Sequence, residues 1–377
     1  MRNIRICHIT SAHNSNDIRI FQKECRSLAD VDNFDVFLVA KGDSRIENGV
    51  QVKGVGSSGG RLKRMLFFAR KVYKAAISID AEIYHFHDPE LLPYAKKLKK
   101  KGKIVFFDSH ENTYEQIMIR EYIPTTLRRT IGKLYYKYET SVCKKIDGVI
   151  FPCPVNGKHP FNGRTDKCIY INNYPIIQRG LIEKTWEQNI KICYVGSLSE
   201  PRGVTTLLKA YKRINEKTVL ILAGKFETEE YRKSLAEEGL LEMVDYRGVC
   251  SSEEVNQIYE EASVGLSTLH NVGQYPKLGT FPTKVYEYMA NGLAVIVSEY
   301  PYSQKMMAEE KIGKCVDPAN IDSIVSAIEY MLENRNMAQR MGEIGKRLSI
   351  EKYNWDNEFL KLKELYDEVI SKNYNCE

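Results

Sequence analysis

The chain is expected to be an α/β protein made of two Rossmann-like domains. Three observations carry that expectation. Strand-like runs alternate with amphipathic helical patterns over nearly the whole length, which implies parallel sheets with helices on both faces. Both halves open alike, with NIRICHIT at 3–10 and NIKICYVG at 189–196. At 377 residues the chain is too long for one ordinary core.

In the first half, strand runs fall at 3–10, 34–40, 82–87, 103–108, 147–151 and 168–172. The second half repeats the pattern at 189–196, 217–223, 243–248, 263–268, 293–298 and 313–316. The domains are drawn as 1–178 and 189–354, joined between Tyr174 and Asn189, where Pro175 and a charged stretch interrupt the pattern. The last amphipathic helix, within 355–377, is expected to pack back on the first domain. In open α/β sheets ligands sit at the C-terminal strand ends, so two such domains are expected to face a shared cleft.

Composition is that of a globular protein, 43% hydrophobic and 28% charged. No apolar run approaches the ~20 residues of a membrane helix. The N-terminus enters a strand pattern at once, so no signal peptide is expected. Nine cysteines without C-x-x-C or zinc spacing are read as reduced thiols of a cytoplasmic protein. Charge is uneven. Residues 1–180 hold 31 Lys+Arg and 18 Asp+Glu, a net of +13, against −7 for the remainder. The first half is therefore expected to face something anionic.

Four stretches carry chemistry. Phe281-Pro282-Thr283-Lys284-Val285-Tyr286-Glu287 opens a helix that Gly292 stops. Its first amides lack intrahelical partners and face an anion readily, and Glu287 lies one turn in. Gly196-Ser197-Leu198-Ser199-Glu200-Pro201-Arg202-Gly203 is a glycine turn feeding a helix, with a cation at its mouth. Asp108-Ser109-His110 ends a first-domain strand. His85-Phe86-His87-Asp88-Pro89-Glu90 holds a His-x-His pair on one strand face. It is read as structural, with Asp88-Pro89-Glu90 starting a helix, and no metal is expected.

Taken together, SAHNSNDIRIFQKECRSLA (11–29), YHFHDPELLP (84–93), FFDSHEN (106–112), INNYP (171–175), YVGSLSEPRG (194–203) and FPTKVYEYMANGLAVIVSE (281–299) resemble the bacterial retaining glycosyltransferases of family 4. The resemblance covers nearly the whole chain. It points to a subgroup that makes capsules, exopolysaccharides or lipopolysaccharide, and it implies the GT-B fold. Glu287 then matches the acid that holds the nucleotide ribose, a charge-assisted bond of roughly 1.5–3 kcal/mol. His110 matches the histidine near the donor sugar, and Arg202 the cation of the phosphate loop. Gly196, Val249, Phe281, Pro282, Thr283 and Val285 complete the implied donor set. Two positions depart from the family. Ser197 stands where it usually has arginine, and Gly279 where it usually has a first acid. Lys284 is expected to replace the missing cation. Asp17 and Arg19 are expected near the acceptor, with a helix N-cap the equal alternative for Asp17.

No pair of carboxylates suited to a retaining glycosidase is evident. The implied reaction is transfer from a nucleotide sugar, favoured as a UDP-sugar, to a lipid-linked glycan, without cofactor or metal. The alternatives are a nucleotide-sugar epimerase and a non-catalytic sugar-nucleotide binder. Arg61, Lys63, Arg64, Phe67, Phe68 and Lys71 mix cations with large apolar groups at helical spacing, and Lys96–Lys101 adds charge. This suits an anionic membrane surface, placing the protein at the inner face of the plasma membrane; a solvated face over ordinary core is the alternative. Nucleic acid is disfavoured, since no recognised motif or stacking platform is present.

Overall fold

Runs of Val, Ile and Phe without a polar alternation are what strands covered on both faces require. Such runs become the central strands here. The structure, a computed structural model, describes residues 3–57, 59–60, 63–120, 123–177, 186 and 190–374. It divides into two compact units, Met1–Asn173 with Trp355–Glu377, and Tyr174–Asn354. Residues 174–177, inside the stretch read as a joint, thus fall with the second unit. Of the rest of that stretch, 178–185 and 187–189 lie outside the described residues.

The first unit contains β1 (Ile4–Asn14), β2 (Phe34–Lys41), β3 (Arg45–Glu47), β4 (Val50–Gly54), β5 (Ile83–Phe86), β6 (Ile104–Asp108), β7 (Gly148–Phe151) and β8 (Cys168–Tyr170). They form one sheet in the order β3-β4-β2-β1-β5-β6-β7-β8. Only β3 runs antiparallel. The hairpin it makes with β4 was absent from the sequence expectation. Its signal is a two-residue Asn48-Gly49 turn, both residues at positive φ (48° and 76°), which suits the twist of a tight hairpin.

Strand order reverses between β1 and β5, so the loops after these strands diverge to opposite sides and open a crevice. The segment after β1 is Ile18–Cys25, wound as a π-helix, followed by the short α-helix Arg26–Ala29. The wider winding aligns residues five apart. It stacks Arg19 over Glu24, 3.1 Å from Nε to Oε1, both buried. The final helix, Trp355–Tyr374, belongs to this unit. Trp355, Leu362, Leu365, Tyr366 and Val369 share one helix face, spaced by seven, three, one and three residues, and join the strand core. Trp355 Nε1 donates to Ser27 Oγ at 2.8 Å.

The second unit contains β9 (Lys191–Val195), β10 (Val219–Ala223), β11 (Asp245–Gly248), β12 (Val264–Ser267), β13 (Ala294–Ser298) and β14 (Gly313–Val316). All are parallel, in the order β11-β10-β9-β12-β13-β14. Here the order reverses between β9 and β12. Each unit thus has one crevice, and its position follows from topology alone.

Candidate functional site

In the second unit, β9 delivers the chain into the turn Gly196–Gly203 and then the helix Val204–Lys212. Gly203 has φ 72°, and a Cβ there would lie 1.8 Å from the Thr268 carbonyl oxygen, just beyond β12. Only glycine lets the two crevice loops touch in this way. Gly224 makes the same close approach to the Gly196 carbonyl. Ser197 is exposed, and its carbonyl accepts from Tyr194 Oη at 3.1 Å.

Above this turn sits the helix Thr283–Ala290, with Pro282 at its N-cap. It ends on Asn291 as C-cap, and Gly292 follows at φ 71°. Lys284 points inward. Its Nζ lies 3.5 Å from the Tyr194 ring centroid and has no hydrogen-bond partner. A Cβ on Gly196 would come 3.3 Å from that Nζ, which places the amine at the turn. Burial first, then the facing charge of Arg202, holds Lys284 well below the ordinary lysine pKa. Two cations thus converge on a glycine turn. Ser267 Oγ and Thr268 Oγ1, at the adjoining β12 end, are also buried without partners. Such a set is chemically fit for a diphosphate.

Glu287 is half-buried one turn along and accepts from Tyr259 Oη at 2.9 Å. Burial, then Glu287, pushes the Tyr259 hydroxyl up, so it remains a donor. Phe281 and Pro282 line a cavity of about 70 Å³ with Tyr275, Leu278 and Tyr300. Val285 is not a lining residue: it is wholly buried in the core under the helix. Val249 is 74% exposed beyond β11, and Gly279 occupies a bend before the helix. Sequence reading missed Ser267, Thr268 and His270. The His270 amide donates to the Pro201 carbonyl at 3.0 Å, and its ring meets Thr206 Oγ1 at 3.1 Å.

The first unit's crevice is lined by side chains. His110, after β6, has Nε2 3.2 Å from His87 Nδ1 and 3.4 Å from Asp108 Oδ2. His87 Nε2 is in turn 2.9 Å from His8 Nδ1. Arg19 grips Asp108 in two bonds, 2.8 and 3.0 Å, and donates to the Ile171 carbonyl at 3.0 Å. Burial raises the Asp108 carboxyl, but Arg19 and His110 overcome this and hold it well below the usual carboxylate range. Burial, then Asp108, pushes Glu24 well above it.

Several sequence assignments change here. Arg19 is 5% exposed and its guanidinium is engaged inside, so it does not line an acceptor surface. Asp17 caps the helix after β1, accepting from Arg19 N at 2.9 Å and Ile20 N at 3.0 Å, and also meets His13 Nδ1 at 2.9 Å. Asp88 precedes Pro89 but caps nothing with its side chain. It ties down the loop after β1 instead, accepting from Ser11 N at 2.6 Å and Thr10 Oγ1 at 2.8 Å. In the basic patch, Phe68 is core and Arg64 pairs with Glu90 at 2.8 Å. Lys71 donates to the Val55 carbonyl at 2.6 Å. Lys63 is exposed, Leu66 and Phe67 are 66% and 72% exposed, and Arg61 lies outside the described residues.

Residues 182–348 match the family model Glycosyl transferases group 1. An uncharacterized glycosyltransferase of Methanocaldococcus jannaschii is 24% identical over 331 residues, covering 82% of this chain and 79% of the relative. Sucrose-phosphate synthase from Thermosynechococcus elongatus superposes with a TM-score of 0.77 at 16% identity, over 98% of this chain and all of that one. Anabaena HepE in complex with UDP-glucose gives 0.70 at 14% identity, over 97% and 100%. The fold is accordingly GT-B. Among the described residues, no helix is long and apolar enough to cross a membrane.

Proposed function

We propose that this transferase moves a sugar, with retention, from a UDP-sugar to a lipid-linked glycan for surface polysaccharide. The observation that carries the reading is the buried, unpartnered Lys284 amine beside Arg202 on a glycine turn. An amine held there without a partner is costly unless an anion arrives. The β-phosphate of a donor is such an anion. HepE, of the same fold, was solved with UDP-glucose. Glu287 is assigned to the ribose hydroxyls.

In the reaction, the bond from the anomeric carbon to the β-phosphate oxygen breaks and the acceptor oxygen bonds to that carbon on the same face. The acceptor proton passes to the leaving phosphate. Arg202 and Lys284 stabilise the charge that develops there; the resemblance assigns His110 to the donor sugar. This assignment needs no metal at the reacting atoms.

A lipid acceptor is supported by two exposed apolar features on the basic unit. One is Leu66 and Phe67; the other is Leu127, Ile131 and Leu134 on the helix Thr125–Cys143, near a groove of about 540 Å³. Cations flank both, which suits an anionic bilayer.

The test incubates the protein with UDP-, GDP- and ADP-sugars, with and without membrane lipid extract, and follows nucleotide release and sugar isomers. Lipid-dependent release of UDP is the expected result. Isomerised donor without acceptor would make the protein an epimerase. Binding without turnover across the panel would make it a non-catalytic relative.

A further inference from the structure

The β1/β5 crevice contains a feature that transfer chemistry does not use. His8, Glu24, His85 and His87 each offer one donor atom, all within 4.8 Å of one another, and all four residues are buried. Three of the separations are 2.9 Å for His8 Nδ1 to His87 Nε2, 3.7 Å for His8 Nδ1 to Glu24 Oε2, and 3.8 Å for His87 Nε2 to Glu24 Oε2. The point in their plane equidistant from these three atoms lies about 2.0 Å from each, the Zn–N and Zn–O bond length, so the side chains must close in slightly to hold an ion above that plane.

Hydrogen bonding leaves the same space unexplained. Glu24 contacts Asp108 through its side chain but neither of its oxygens accepts an aligned hydrogen bond, and His85 Nε2 has no partner. Arg19 stands 3.1 Å from Glu24 Oε1 but is already bonded twice to Asp108. One guanidinium therefore serves the ionised Asp108, while Glu24, pushed toward its neutral form, takes no aligned bond from it. The outer contacts suit two of the three imidazoles as ligands, His85 and His87, while His8 Nε2 has no partner. The far nitrogen of His85 meets Tyr366 Oη at 2.7 Å, and that of His87 meets His110 at 3.2 Å with Asp108 at 3.7 Å.

We propose that His8, Glu24, His85 and His87 hold one divalent transition-metal ion, zinc by its three imidazoles and one carboxylate, as a structural clamp across the β1/β5 crevice. Full burial and four protein ligands make the site closed, as structural zinc sites are. The ion ties β1 and β5 to the helix Ile18–Cys25 and fixes His87, against which His110 rests. The His85 and His87 rings lie 14° from parallel with centroids 4.7 Å apart, so His85 must tilt to close the tetrahedron and is the weakest ligand. The His-x-His pair is then structural, as its strand position suggests, but through an ion.

The experiment uses the untagged full chain, purified without chelator. Metal analysis should find one zinc per chain that survives gel filtration. After removal with dipicolinate, cobalt(II) should restore one equivalent with the visible absorption of a tetrahedral site. Chelation should lower the thermal midpoint and zinc should restore it. Glu24→Gln and His87→Asn should each reduce retained metal at least tenfold, and His85→Asn should reduce it less. Folded wild-type protein that neither retains zinc nor binds cobalt at one equivalent would overturn the proposal. It would leave His8, His87 and His110 as a hydrogen-bonded chain. Undiminished metal in Glu24→Gln and His87→Asn would overturn it too. Should the variants not fold, the wild-type cobalt spectrum decides.

Discussion

At the β1/β5 crevice the loops meet through side chains, whereas at the β9/β12 crevice they meet through backbone. The same topology produced both openings. The first is filled by His8, Glu24, His85, His87, Asp108 and Arg19, all buried and mutually engaged. The second is kept open by Gly196, Gly203 and Gly224, and its one buried cation, Lys284, has nothing to bind. A crevice packed with its own polar side chains leaves little room for a substrate. A crevice with glycine walls and an unpartnered amine is arranged for a ligand. On the proposed function, the difference separates a crevice held mainly by its own side chains from one arranged to take the donor diphosphate.

The comparison can be broken first at Arg19. Arg19→Met leaves Asp108 buried without the guanidinium that binds it twice, and breaking such a pair costs about 3–5 kcal/mol. Urea unfolding in a Trp186→Phe background, which leaves Trp355 to report on the first unit, should show that loss. Adding Asp108→Asn should recover part of it. A loss below about 1 kcal/mol would mean that the first crevice does not depend on its internal charges.

The second crevice should behave in the opposite way. Arg202→Ala and Lys284→Ala should each reduce donor turnover about 10²–10³-fold, the usual loss when one donor to a developing oxyanion is removed. Lys284→Met should also raise unfolding stability slightly, because it removes an unpaired buried amine. Near-normal turnover in Lys284→Ala would reject its role as the second phosphate cation.

How much of this was legible beforehand follows the same division. Parallel strands buried on both faces announce themselves as continuous apolar runs, so the two sheets and the place of Glu287 could be read from the sequence. The β3–β4 hairpin could not be read from such runs, because its strands are short and half-exposed; the Asn48-Gly49 turn was its only strong local signal. Arg19 and Phe68 were misplaced for a related reason. A cation or an aromatic on an amphipathic segment reads as surface until the winding is known. The π-turn rotates Arg19 inward to Asp108, a partner 89 residues away. The unpartnered oxygens of Ser267 and Thr268 follow from tertiary packing and carry no local pattern.

The smallest expected effect tests the ligand-seeking character of the second crevice directly. In the free protein, burial and then Arg202 depress the Lys284 pKa well below 10.5, while Glu287 and Cys193 oppose this more weakly. A bound diphosphate favours the ammonium and raises that value. Between the depressed free value and the raised bound value, nucleotide binding must take up a proton. Affinity therefore rises as pH falls through this window, by at most about tenfold per pH unit, and levels off once Lys284 is charged in the free protein. Calorimetry of UDP binding in buffers of different ionisation enthalpy measures the uptake. Wild type should take up a fraction of a proton and Lys284→Met none. Equal uptake in both would assign the proton to another group and leave Lys284 outside the phosphate site.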